Sequence, residues 1–310
     1  MKINKKILLL VLILFTITGC TTYIKDENNK SVKYEVTGQN LPANILCKPT
    51  DNEVIEIYKK HDVDIKNLPE CSDFKVNDGG YEGLWNSIFV KPLAWLILKL
   101  GLLVKNYGLS IMIIGFLIRA LMYPVTKNTA MQSEKLALAK PEMDRIEKKY
   151  KDKTSQEDMM KKSQEMMLVY QKYKINPLSS CLFAFLQFPI FFAFLEAINR
   201  VPAIFEGNLL FFQLGTTPLT AIINKGQFQY LIIVALLAVV TKYSFKLNKT
   251  ASINTDAKNQ MDFMNKFLIF FIPAASLTMS TAISLYWITS SSFTILQNII
   301  VKRRNANGKI

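Results

Sequence analysis

The chain has 310 residues, half of them hydrophobic, and a formal net charge of +14. Residues 1–20 carry +3, residues 21–83 carry 8 basic against 12 acidic groups, and residues 84–310 carry 27 against 12. The basic excess shares its part of the chain with the long apolar runs, which points to a membrane protein with basic loops and gives no specific nucleic-acid site.

At the N-terminus, Lys2, Lys5 and Lys6 precede an apolar run over 7–17 that is too short to cross a bilayer and reads as a secretory signal. It ends in Ile17-Thr18-Gly19-Cys20, which resembles the bacterial lipoprotein lipobox. There, small residues admit the signal peptidase and the cysteine thiol accepts a diacylglyceryl group. The expectation is a signal peptide over 1–19 and a mature chain starting at Cys20, held outside the cytoplasm by acyl chains such as palmitate. An uncleaved signal with an incidental cysteine is the alternative.

Residues 20–83 read as a small extracytoplasmic segment or linker, polar and mildly acidic, in which Pro42, Pro49, Pro69 and Gly79-Gly80 interrupt any long element. Cys47 and Cys71 lie 24 positions apart. On the exported side they can close a loop worth about 3 kcal/mol, or stay independent thiols. His61 is the only histidine in the chain. Without a second histidine or a cysteine cluster at ligand spacing it reads as a solvated side chain, and no metal is called for.

Residues 84–105 are apolar but carry Lys91 and Lys99. They read as an amphipathic helix in the outer interface, with Trp85 and Trp95 suited to headgroup depth. A sixth span with an unusual topology is the alternative.

The insertion of Arg119 into residues 108–126, GLSIMIIGFLIRALMYPVT, is the strongest single signal. A charge in the middle of a spanning run is costly and marks a working site. Further apolar runs cover about 178–199 and 227–245, and residues 267–301 hold 35 positions without a charge. As one helix the last run would extend roughly 52 Å, against a bilayer core of about 30 Å. Two spans, 267–281 and 282–301, with a turn near residues 280–284, fit better and bring the count to five. Loop charge agrees: residues 127–175 contain 12 Lys and Arg, and the tail 302–310 holds Lys302, Arg303, Arg304 and Lys309. Both belong on the cytoplasmic side.

Within 127–175, Leu136, Ala139, Met143, Ile146 and Tyr150 mark one helix face, and Met159, Ser163, Met166, Tyr170 and Tyr173 repeat the pattern after a polar break. Ser155 and Asp158 stand at capping-box spacing. The two helices should pair as a cytoplasmic hairpin. In the last span Trp287, Ser291, Thr294 and Asn298 follow 4,3,4 spacing, a polar stripe that either packs helices or lines a hydrated cavity with Arg119.

Three segments carry a resemblance: GLSIMIIGFLIRALMYPVTK around Arg119, YQKYKINPLSSCLFAFLQFPIFFAFLEAI over 170–198, and SLYWITSSSFTILQNIIV over 284–301. In order and with matching loop lengths, they resemble the signature regions of the YidC/Oxa/Alb membrane-protein insertases. The lipobox and short exported segment are similar to the form of the family found in Gram-positive-type bacteria. The resemblance covers about 84–310. It implies an all-α integral membrane protein: five core transmembrane helices over 106–304, an outer interfacial amphipathic helix and a cytoplasmic helical hairpin, in the bacterial plasma membrane. It further implies a hydrated groove open to the cytoplasm and to lipid, in which Arg119, Gln187, Tyr286, Trp287, Ser291, Thr294 and Asn298 meet the substrate, with Cys20 as the lipid attachment site. Implied partners are nascent membrane proteins, the lipid bilayer, the Sec translocon and, through the hairpin and basic tail, the ribosome. No cofactor is implied. Two departures bear on how wet the groove is: Gly115 stands one turn before the arginine where some relatives are polar, and the third span reads LLAVVT with only Thr241 as a polar candidate.

Other classes are a transporter using Arg119 for an anionic substrate and a scaffold paralogue within a larger complex. A transporter would be expected to show an internal repeat or paired broken helices, which the sequence does not display. An intramembrane hydrolase needs a base beside a nucleophile, yet no span contains histidine and Glu196 stands alone near the outer end of its helix. No P-loop signature is present. The reading is therefore of a protein that is not an enzyme.

Overall fold

The computed structural model describes residues 21–153, 155–176, 179–247 and 255–306. The signal, the lipobox and Cys20 lie outside the described residues, as does the end of the basic tail. In chain order the elements are β1 (Lys33–Tyr34), β2 (Gln39–Asn40), α1 (Asn52–Lys60), a π-helical turn Asn86–Val90 continued by α2 (Lys91–Val104), α3 (Tyr107–Leu121), α4 (Tyr123–Lys149), α5 (Gln156–Lys172) and α6 (Ser179–Arg200). They are followed by α7 (Pro202–Phe205), β3 (Asn208–Leu209), β4 (Phe212–Gln213), α8 (Pro218–Lys225), α9 (Tyr230–Leu247), α10 (Thr255–Ser276) and α11 (Thr281–Ala306). Helices dominate, as expected for an all-α membrane protein. Among the described residues, Asn86–Val104 and Tyr230–Leu247 are each long and apolar enough to cross a membrane; Tyr107–Leu121 with Thr126–Lys149 passes as a third if taken as one bent span.

The chain divides into two compact units. The first holds the described residues up to Gly115 together with Phe188–Val234 and Ala275–Trp287. In it, residues 21–83 are not a bare linker but fold around a small core that Phe205 completes. Ile24, Tyr34, Leu41, Ile45, Val54, Tyr58 and Ile65 bury themselves with Phe205 as one cluster. Asp51 caps α1 by accepting from the Glu53 N–H, and the buried Tyr58 hydroxyl donates to Pro42 O at 2.9 Å. At Gly38, with φ +72°, the β1–β2 turn passes so close to Thr220 that an added Cβ would sit 2.1 Å from its Oγ1, so only glycine fits. His61 closes α1 as its C-cap.

A disulfide joins Cys47 and Cys71, with their Cα atoms 4.9 Å apart, which decides between the two states the sequence left open. A core this small gains substantially from such a staple. Replacing both cysteines with serine is expected to cost about 3 kcal/mol, the entropy of a closed loop of this length. Denaturant unfolding with and without reductant checks it: reductant should destabilise the native protein and leave the double-serine variant unchanged.

The second unit holds Phe116–Gln187, Ala235–Ala274 and the described residues from Ile288 onward. Here α4 and α5 pack through Leu136, Ala139, Met143, Ile146, Tyr150, Met166, Val169, Tyr170 and Ile175, with Tyr173 at the edge. The predicted face of α4 and the Met166, Tyr170 and Tyr173 part of the second face thus meet as one core, while Met159 and Ser163 stay outside it and are only partly buried. Ser155 caps α5 by accepting from the Asp158 N–H, as its spacing foretold. Lys149–Glu165 at 2.6 Å and Lys172–Glu142 at 2.8 Å bridge the pair, but being exposed they contribute little.

Two helix boundaries differ from the expectation. The run 109–126 is broken, because α3 stops at Leu121 and α4 restarts at Tyr123 with Pro124 in its first turn, where a missing N–H is harmless. The turn within 267–301 falls at residues 277–280, ahead of the predicted 280–284, so Ser284 is already inside α11. The cause is the loop after β4. Thr216 O accepts from both Thr281 N and Thr281 Oγ1, and Leu214 O accepts from Ala282 N, so the orphan donors of the first turn are satisfied from outside the helix.

Candidate functional site

Arg119 lies in the last turn of α3, where a cation meets the negative end of the helix dipole. It is only 8% exposed. Its Nε donates to Ser290 Oγ of α11 at 2.8 Å, and Nη2 donates to the same oxygen. Two further contacts continue this seam within the second unit: Phe116 meets Phe293 edge-on at 5.1 Å, and Thr126 Oγ1, in the first turn of α4, donates to Gln297 Oε1 at 3.0 Å. Within α11, Thr294 Oγ1 donates back to Ser290 O at 3.0 Å. Asn298 Nδ2 donates to Thr294 O at 2.8 Å. Neither α3 nor α11 contains a carboxylate.

The buried polar row on α11 is therefore Ser290, Thr294 and Gln297. Of the predicted stripe, Thr294 belongs to it, while Trp287, Ser291 and Asn298 are partly exposed. Ser290, Gln297 and Thr126 were missed. In the first unit, Tyr286 is fully buried against Phe194, with ring centroids 4.1 Å apart, and Trp287 stacks on Phe191 at 5.4 Å with a 17° interplanar angle. Tyr286 is thus a core residue of this unit, and Trp287 is only partly buried. Gln187 is partly exposed on α6. Thr241, the polar candidate of the third span, is buried with its Oγ1 lacking a hydrogen-bond partner among the described residues, and Gly115 is buried too.

A second cluster of charge occupies the first unit. Arg200 is 1% exposed, and its guanidinium reaches Glu82 at 2.7 Å, Glu196 at 3.4 Å and Asn44 O at 2.6 Å. Lys91, fully buried, pairs with Glu82 at 2.9 Å and donates to Asp78 O and Gly80 O. Trp85 Nε1 donates to Glu196 Oε2 at 2.9 Å. Glu196 is thus the partner of Arg200 and Trp85 rather than a solitary acid, and Trp85 is a buried ring rather than one facing headgroups. Leu46 N donates to Arg200 O, and the Glu206 carboxylate accepts from Thr50 N, Thr50 Oγ1 and Asp51 N. Residues 21–83 are by these bonds clamped to the C-terminal end of α6 and the connection after it.

Burial works against ionising Glu82, but hydrogen bonds from Arg200 and Lys91 and their charges outweigh it and hold its pKa below the usual 4.5. A carboxylate with a depressed pKa stabilises the fold fully above its unfolded value and loses that contribution as pH falls through the folded one. Thermal stability should stay level down to about pH 5 and fall below 4.5, and Glu82→Gln should flatten that acid limb relative to wild type.

Comparison with known proteins places these elements. Residues 99–308 match the family model described as 60Kd inner membrane protein. The membrane protein insertase YidC of Oceanobacillus iheyensis is 32% identical over 223 residues, 72% of this chain and 85% of that protein. The membrane protein insertase MisCA of Bacillus subtilis is 32% identical over 219 residues, 70% of this chain and 79% of that protein. The YidC of Haemophilus influenzae is 30% identical over 71% of this chain but only 37% of its own length. The match thus takes in Arg119, the α4–α5 pair and the polar row of α11, and the chain belongs to the YidC/Oxa1 family of membrane-protein insertases.

Proposed function

We propose that the chain is an insertase that accepts nascent hydrophobic segments and releases them into the plasma membrane without nucleotide hydrolysis. The observation that carries the reading is Arg119, a buried guanidinium in an apolar helix, held by the neutral hydroxyl of Ser290. A substrate's short polar tail must cross apolar lipid, where a bare carboxylate costs several kcal/mol. A guanidinium partway across offsets that cost through a charge-assisted hydrogen bond, stronger than the bond to serine that it exchanges. The serine bond holds the guanidinium ready without a covalent step. The apolar segment then partitions into lipid by its own hydrophobicity, and an acidic tail is also drawn across by the membrane potential.

In this reading α3, α6, α9, α10 and α11 are the five spans. The α4–α5 pair and the tail face the cytoplasm, where their basic residues serve the ribosome or the emerging chain. Cys20, if acylated, tethers residues 21–83 outside, beside the Sec translocon. The disulfide and the opposite charge balance of residues 21–83 support that side. So do Lys91 and Lys99 of α2: both are held by carbonyls of residues 72–80, which ties α2 to the exported segment and supports reading it as an interfacial helix.

The test is rescue of an insertase-depleted cell, read by insertion of a phage-coat-like protein and of an ATP-synthase c-type subunit. Restored insertion is expected. A transporter or a pure scaffold would leave both substrates uninserted.

A further inference from the structure

The β3–β4 hairpin turns through Leu210 and Phe211, which are 81% and 61% exposed. Leu210 has φ +54° and Phe211 does not share it, a turn whose first central position ordinarily takes glycine. Turn chemistry therefore does not explain a leucine there, and with its side chain 81% exposed neither does packing. The hairpin is firmly mounted. Phe212 is buried edge-on against Tyr230 at 5.2 Å, Gln213 N donates to the Tyr230 hydroxyl at 2.8 Å, and Gln213 Nε2 donates to Phe205 O. Its base is tied to the connection between α2 and α3 and to the first turn of α3, since Asn106 Nδ2 donates to Asn208 O at 2.9 Å and Leu209 packs against Gly108.

The surroundings continue the same chemistry. Residues 207–224 contain no charge, and Leu219, Ile223 and Phe228 are exposed in the stretch that follows the hairpin. On α2, Leu96, Leu102 and Leu103 are exposed as well. We propose that the β3–β4 hairpin is a membrane anchor, with Leu210 and Phe211 seated in the acyl-chain region of the outer leaflet next to the end of α2. Lipid is the occupant the observations favour, because the tip offers large apolar side chains within a stretch that carries no charge; acyl chains ask for nothing more specific. The proposal rests on α2 lying at the outer membrane surface.

The test uses full-length protein carrying Cys20→Ala and Cys181→Ser, with the disulfide intact. Spin labels are placed singly at Phe211→Cys, at Leu103→Cys on α2 and at the exposed Glu27→Cys. In vesicles of phosphatidylglycerol and phosphatidylethanolamine, collision with oxygen is compared with collision with a water-soluble nickel chelate. The label at 211 should prefer oxygen as strongly as the label at 103, and by about fivefold over the label at 27, as for a side chain below the headgroups. A label at 211 that behaves like 27 while 103 prefers oxygen overturns the anchor and leaves α2 at the surface. If 103 also behaves like 27, the placement of α2 falls with it.

Discussion

Replacing Arg119 with glutamate is expected to lower insertion of substrates with acidic tails by roughly tenfold or more, the worth of a charged hydrogen bond in transit turned into repulsion. The acid would also face Ser290, which donates only one proton where the guanidinium donated twice. Arg119→Lys keeps the charge and should keep most activity. Arg119→Ala should fall between, since the hydroxyls of Ser290 and Thr294 still offer polar contacts. The assay is insertion of one substrate with either an acidic or a neutralised tail. The neutral tail should be inserted nearly alike by wild type and Arg119→Glu. If Arg119→Glu handles the acidic tail as well as wild type, the electrostatic role is wrong.

The second large effect concerns Arg200. Its removal as Arg200→Met leaves Glu196, which is 6% exposed, and Glu82 without their shared cation, and frees the loop carbonyl of Asn44. Breaking a buried pair from one side costs about 3–5 kcal/mol, most of it the penalty of stranding the other charge. The variant should unfold at lower temperature, and protease should cut the connection between α6 and α9 sooner. Adding Glu196→Gln should restore a large part of the loss, since Glu82 keeps Lys91. A double variant no more stable than Arg200→Met would mean that packing, and not charge, dominates the joint.

Much of this was legible in the sequence because periodicity is a local property. Leu136, Ala139, Met143, Ile146 and Tyr150 announced their face by spacing alone, and the α4–α5 core is built from it. Arg119 was legible because a charge stands out in an apolar run. Its partner was not. The run Ser290-Ser291-Ser292 lets a polar stripe be drawn in more than one phase, and only the approach of Arg119 on α3 and Thr126 on α4 selects the phase of Ser290 and Gln297. The turn before α11 was placed too late for a similar reason, since the first N–H groups of the helix are taken by carbonyls more than sixty positions earlier. Residues 21–83 looked like a linker because their core is completed by Phe205 and their charges by Arg200, partners no local window contains.

Contact between a passing substrate and the Arg119 seam tests the account most directly. A photoreactive residue at Ser290, next to the guanidinium, is combined with ribosome-stalled nascent chains of a c-type subunit at increasing length. The account predicts an adduct to the acidic tail at intermediate lengths, lost once the tail has crossed and weakened in an Arg119→Glu background. Insertion that proceeds at every length with no adduct at this position would contradict it.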